Sequence, residues 1–389
     1  MARSVPANRD RTQGDRHASG RSGRQIRAAG ISLRVSRPIR AGMRTVVFML
    51  KVLPTLPSRP LDWVTPTPVR ERVRYPTLAG MVEGELTSPG SAGPHPGVVL
   101  CLGVIPFDVN HPQVPRLQEA LARAGFASLL YWSPAMRDFR LDPADVENLA
   151  LAYDWFIAQP AVDPSRSGFI GTCVGGAFVL MAAAHNLVRD RVGFVGAFAP
   201  YASMQTLAQD IATATRPLAA VREPWPVDPL TRKVYVHSLT AHLEPLEAER
   251  LREALAEPDG QVEPRELSPG GQIIYPLLTA LTDDEARSAL ERLPQALRER
   301  LDAMSPLTCL PDLHAPLLVL MHDRDDPVIP LGESKLLWDV LASRPGVRCT
   351  EFTMFKHLDP AKVKLRIPQL LRELARLYTA LYPVFRQAA

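Results

Sequence analysis

Cys173 lies in the run Ser167-Gly168-Phe169-Ile170-Gly171-Thr172-Cys173-Val174-Gly175-Gly176, with Gly171 and Gly175 two positions to either side. A thiol attacks a carbonyl carbon as the thiolate, so it needs a base beside it, and an imidazole base needs a carboxylate to fix its tautomer. Both partners follow later in the chain. Asp326 stands in His322-Asp323-Arg324-Asp325-Asp326-Pro327-Val328-Ile329-Pro330, and His357 in Phe355-Lys356-His357-Leu358-Asp359-Pro360. Asp325 and Asp323 are rivals for the acid; Asp326 is preferred for its distance from Pro330. His322, beside the acid loop, is the alternative histidine in a supporting role. His185, His237, His242 and His314 fall on helical, inserted or surface stretches and read as structural. A lone cysteine after a strand is usually a small buried hydrophobe. The glycine flanks and the ordered acid and histidine set Cys173 apart.

Holding such a cysteine ready takes a strand that turns abruptly into a helix. That turn strains its central residue and leaves no room for side chains two positions away, where glycine fits. The chain supplies the elements. Residues 69–75 and 78–86 read as antiparallel strands, and the apolar run 97–102 as a strand buried on both faces of a parallel sheet. Helix 114–124, strand 126–131, helix 144–158, strand 167–171, helix 175–187 and strand 193–198 continue a βαβα rhythm. The class is therefore α/β, with a doubly wound, mostly parallel sheet. The rhythm stops at Pro200 and resumes with strand 315–321. The stretch between, about 201–312, holds helical patterns instead of strands and reads as a helical cap insertion. Within it 243–255 is amphipathic, and Thr282 to Glu285 forms a capping box. Ala286, Leu290, Leu293, Leu297 and Leu301 then share one helical face, with Pro294 inside that helix. Helix 332–341, strand 347–353 and a terminal helix over 361–380 complete a domain running from 69 to 389.

The 389 residues are 46% hydrophobic and 22% charged, as in a soluble globular protein with ample length for a core. The net charge of +4 conceals an asymmetry: residues 1–44 hold eleven arginines against Asp10 and Asp15, leaving the rest at about −5. The basic share belongs to a tail, so no nucleic-acid partner is expected. Residues 1–44 read as a disordered arginine-rich tail, and 45–68 as an apolar, proline-rich lead-in. The lead-in is far short of the ~20 apolar residues a membrane-spanning helix needs, although weak peripheral membrane association through this N-terminal segment stays open. Four cysteines with no C-x-x-C pair give no zinc spacing and no disulfide framework. A reduced, cytoplasmic setting follows.

From about residue 69 onward the chain resembles the α/β-hydrolases. Gly171-Thr172-Cys173-Val174-Gly175-Gly176-Ala177 resembles the dienelactone hydrolase family, whose nucleophile is a cysteine in a G-x-C-x-G-G setting. Asp325-Asp326-Pro327-Val328-Ile329-Pro330 resembles that family's acid loop, with Asp326 at the acid position and Asp323 in place of the usual glycine. His357 matches the family histidine, with Lys356 where glycine is common. The family's glutamate near the nucleophile has no counterpart in Gly103-Val104-Ile105-Pro106-Phe107-Asp108. The resemblance implies an α/β-hydrolase fold and a hydrolase of carboxylic esters or lactones. The Cys173 thiolate would form an acyl-enzyme, His357 would relay the proton and activate water, and Asp326 would orient the imidazole. The N–H of Val174 and that of Val104 or Ile105 would form the oxyanion hole. No metal or organic cofactor is required, and the partner would be a small-molecule ester, lactone or thioester. Two other functions stay open: an acyltransferase acting on thioesters, similar to polyhydroxyalkanoate synthases, and a non-catalytic homologue holding a ligand under the cap.

Overall fold

Runs of Val, Leu and Phe become the inner strands of one eight-stranded sheet. The computed structural model describes residues 36–53, 61–105, 113–218, 221–256, 260–355 and 366–389. The N-terminal part comprises helices α1 (Arg37–Val52) and α2 (Leu61–Val64), strands β1 (Val69–Thr77), β2 (Gly80–Ser88) and β3 (His95–Cys101), and helix α3 (Gln113–Arg123). Strand β4 (Ala127–Leu130), helices α4 (Pro134–Arg137) and α5 (Ala144–Ile157), strand β5 (Val162–Thr172), helix α6 (Val174–Ala184) and strand β6 (Phe194–Phe198) follow. Between β6 and the next sheet strand come α7 (Met204–Thr213), β7 (Thr215–Leu218), β8 (Val221–Pro224), α8 (Pro229–Leu239), α9 (Pro245–Ala254), α10 (Pro269–Leu278), α11 (Asp283–Arg292) and α12 (Gln295–Asp302). The fold closes with β9 (Leu318–Asp323), α13 (Leu331–Leu341), β10 (Val347–Phe352) and α14 (Ile367–Ala388).

The strand order is β1-β2-β4-β3-β5-β6-β9-β10. Strands β1, β2 and β4 pair antiparallel at one edge, and all pairings from β4 through β10 are parallel. The two-residue period of a strand sorts its side chains onto two cores. Val98 and Leu100 of β3, and Val319 and Met321 of β9, face α3 and α14, while Val99, Cys101, Leu318 and Leu320 face α5 and α6. Every residue of α6 is buried, as expected of a helix apolar on all sides. Strands β4 and β5 flank β3, so the sheet grows outward in both directions from there. Open α/β sheets place their sites outside the carboxyl ends of the strands at such a switch point.

The expected doubly wound, mostly parallel sheet with a helical cap is therefore present. Helices α7 to α12 leave the sheet after β6 and continue the α5/α6-side core through Leu207, Val234, Leu251, Ile274 and Leu290. Three local expectations differ from the structure. The insertion is not purely helical: β7 and β8 form an antiparallel hairpin. The capping box at Thr282 and Glu285 forms as expected, but the helix behind it is two, broken at Leu293 with Pro294 capping α12. Proline lacks the N–H the helix needs and clashes with the preceding turn, so it ends the helix instead of kinking it. The last residues of the stretch read as a disordered tail are helical, and its first 35 lie outside the described residues. Helix α1 starts at Arg37, with Ala41 and Thr45 buried and Arg116 Nε donating to the Lys51 carbonyl at 2.8 Å. Among the described residues no helix is long and apolar enough to cross a membrane.

Candidate active site

Cys173 occupies the single residue between β5 and α6, with φ +56° and ψ −135°. A side chain in this region of backbone space costs roughly 1–3 kcal/mol and persists only where its surroundings enforce it. The enforcement is visible. The Cys173 N–H donates to the Phe198 carbonyl at 2.8 Å, fixing the elbow to β6. The flanks are crowded by backbone: a Cβ added to Gly171 would lie 2.4 Å from the Gly175 carbonyl oxygen, and one on Gly175 would lie 2.3 Å from that of Cys101. The Thr172 hydroxyl donates to the Leu102 carbonyl at 2.9 Å, tying the elbow to the loop that leaves β3. Val174 is the first residue of α6, so its N–H is one of the orphan donors at a helix start. Val104 joins Cys173 and Val174 on one pocket wall, whereas Ile105 packs against the opposite core. Cys101, one strand over, is different in kind. Burial pushes its thiol up to about 12, leaving a protonated hydrophobe.

Asp326 follows β9 and is fully buried, whereas Asp325 is exposed. One Asp326 carboxylate oxygen accepts the N–H groups of Val328 and Ile329 at 2.7 and 3.0 Å. The other lies 3.7 Å from His322 Nε2. His322 is buried, with Nδ1 2.6 Å from the Ser334 hydroxyl and Nε2 2.9 Å from the Ile329 carbonyl. Its ring braces the acid loop and is not among the side chains of the pocket wall. His357 lies outside the described residues. Asp323 shows what the sequence did not: it is buried, accepting the Asp325 N–H at 3.1 Å and the Phe355 N–H at 2.6 Å. It thereby joins the acid loop to the chain two residues ahead of His357. The inserted segment grips the acid loop as well, for Trp225 Nε1 donates to the Asp326 carbonyl at 3.0 Å and the Asp228 N–H to that of Pro327 at 2.9 Å.

The pocket extends from Cys173 into the insertion. Met204, Leu207 and Ile211 of α7, Val234 of α8, and Leu297 and Leu301 of α12 form much of its wall. Its polar groups are largely satisfied by backbone: Thr231 Oγ1 donates to Val328 O at 3.1 Å, Ser238 Oγ to Val234 O at 2.6 Å, and Arg300 to Leu141 O at 3.2 Å. His242 is exposed and lies on this wall. Partial burial, with Arg300 adding to the effect, lowers its pKa and favours the neutral imidazole. The site thus offers an elbow-mounted thiol, a buried carboxylate and a hydrocarbon-lined chamber. Among the described residues no group of three or more His, Cys, Asp or Glu is placed to hold a metal ion.

Comparison with protein-family models and with curated proteins finds no match. Solved structures do match. An acylaminoacyl peptidase in complex with Z-Gly-Gly-Phe-chloromethyl ketone is 14% identical with a TM-score of 0.50, over 82% of this chain and 41% of that one. The orthorhombic form of Pyrococcus horikoshii acylaminoacyl peptidase is 14% identical with a TM-score of 0.51, over 85% of this chain and 43% of that one. The chain therefore spans less than half the length of these peptidases. Likeness at this identity establishes the fold, and the fold is that of the α/β-hydrolases.

Proposed function

We propose that this protein hydrolyses carboxylic esters or lactones, with Cys173 as nucleophile and Asp326 and His357 completing a Cys-His-Asp triad. The observation that carries the reading is the backbone of Cys173: a non-glycine residue held at positive φ on a strand-to-helix turn, on the wall of an apolar pocket. His357 takes the thiol proton, and the thiolate sulfur attacks the carbonyl carbon. The oxyanion is received by the N–H of Val174 and of Val104 or Ile105. Collapse expels the alkoxide, which takes the proton from His357 and leaves the acyl group on sulfur. Water, deprotonated by His357, then releases the carboxylic acid and restores the thiol. Asp326 holds the imidazole in the tautomer this sequence needs. The hydrocarbon lining suits an aliphatic acyl group. The dienelactone hydrolase-like cysteine setting, a cytoplasmic location and peripheral membrane association through the N-terminal segment belong to the same reading.

Transfer from a thioester to an alcohol acceptor is the second reading, favoured by the apolar wall around Cys173, which limits water beside an acyl-enzyme. The first test is turnover of p-nitrophenyl hexanoate by the full chain and by Cys173→Ala. Turnover lost in the variant supports the nucleophile, and turnover retained would remove it. Supplying an acyl thioester with a hydroxyacyl acceptor then separates the two readings: free acid marks the hydrolase, and ester product the transferase.

A further inference from the structure

Two neighbouring helices expose apolar side chains among arginines, and we propose that this face docks the protein on an anionic lipid bilayer. Helices α1 and α14 run side by side in the same direction. A Cβ on Gly42 would lie 2.9 Å from the Tyr378 hydroxyl, and one turn or more further on the Phe48 and Phe385 rings are 5.1 Å apart. The later turns of both helices are occupied, with Phe48 and Met49 packing into the core that holds Leu381, Val384 and Phe385. The leading turns are not. Ile39 and Met43 are each 60% exposed, and Ile367 and Leu371 are 74% and 61% exposed. Single exposed apolar residues are ordinary. Pairs spaced one helical turn apart give each helix an exposed apolar stripe, as in an interfacial segment, and the register of Gly42 against Tyr378 places the α14 pair beyond the start of α1.

Charge selects the occupant. Helix α1 has no acid, and Arg37 and Arg40 are exposed on it, whereas Lys51 is buried against Asp62 and Glu119 and Arg44 packs its guanidinium beside Gly125. The one acid of α14, Glu373, is buried and accepts the Thr353 N–H at 3.0 Å and the Arg376 guanidinium at 2.8 Å, while Arg366 and Arg372 are exposed. The chain before Ser36 adds eight arginines against two acids. Two copies meeting through this face would bring like charges together, and a nucleic acid gains nothing from the four apolar side chains. An anionic bilayer satisfies both, through headgroup charge and apolar insertion. The placement also has consequence. Glu373 meets the residue just after β10, so the turn that precedes it stands at the carboxyl end of the sheet, the end at which Cys173 lies.

Docking is measured without turnover, so its outcome is separate from that of the nucleophile. The full chain is sedimented with vesicles of phosphatidylcholine alone or mixed with phosphatidylglycerol, at low and high salt. Binding to the mixed vesicles, weakened by salt and weak on neutral ones, is expected. The double variants Ile39→Glu/Met43→Glu and Ile367→Glu/Leu371→Glu should each lower it by about tenfold or more, with the melting temperature and the turnover of a soluble ester unchanged. Three results overturn the proposal: no binding to mixed vesicles, full binding by both double variants, or a concentration-dependent dimer abolished by them, which would assign the face to a second copy.

Discussion

Strain at one residue is what distinguishes Cys173 from an ordinary buried thiol, and strain has a measurable signature. At φ +56° a glycine is relaxed where an alanine is not. Cys173→Gly is therefore expected to unfold at least as late as Cys173→Ala, by about 1 kcal/mol, with both variants inactive. Chemical denaturation of the pair checks this; an alanine variant clearly more stable than the glycine one would contradict an enforced elbow. Gly175→Ala should cost more than roughly 2 kcal/mol, because its Cβ would sit 2.3 Å from the Cys101 carbonyl oxygen, with no flexible side chain to yield. Asp323→Ala frees the Phe355 N–H and should lower kcat more than it raises KM, a split that rate measurements over a range of ester concentrations resolve. The elbow was legible because glycines two residues to either side mark it, whereas the choice of Asp326 rests on the resemblance of its loop to a family's acid loop and not on spacing alone. The role of Asp323 was not legible, since its partner is a backbone N–H thirty-two residues away.

Elements show the same division. Residues 98–101 of β3, 194–198 of β6 and 318–321 of β9 are continuous, largely apolar runs and therefore readable, whereas the first half of β5 is polar and its start at Val162 is not. The hairpin of Thr215–Leu218 and Val221–Pro224 is not, because each strand holds an arginine and a proline and neither alternates. Leu293 kept the helical spacing of its neighbours while Pro294 ended the helix beside it, so periodicity alone joined α11 to α12. Helix α7 also carries a buried charge that sequence could not reveal. Asp210 of α7 is raised to about 7, chiefly by burial and then by the nearby Glu333 carboxylate, with the Arg222 guanidinium opposing. Glu333 is likewise raised by its burial and pins the chain entering α7, accepting the Ala202 and Ser203 N–H groups at 2.8 and 3.1 Å. A carboxyl whose folded value lies above its unfolded one stabilises fully below about pH 4 and loses that contribution as pH rises to about 7. Asp210→Asn cannot titrate. Its stability relative to the parent should therefore grow between pH 4 and pH 7, by a few kcal/mol at most. Thermal unfolding across that range decides it, and a constant difference would be contrary.

The whole molecule combines an α/β-hydrolase sheet, an inserted segment gripping the acid loop and an arginine-rich end. The fold was legible from the order of strands and helices. The chamber was not, because its wall gathers side chains from the loop after β3 and from α7, α8 and α12 that no local window contains. All of it bears on one thiol. The most direct measurement is the intact mass of the protein quenched during turnover of activated esters of increasing acyl length, followed by peptide mapping. One acyl group per chain on the Cys173 peptide, absent in Cys173→Ala, is the expected result. An adduct unchanged in that variant, or one on Cys101, Cys309 or Cys349 instead, would contradict the account.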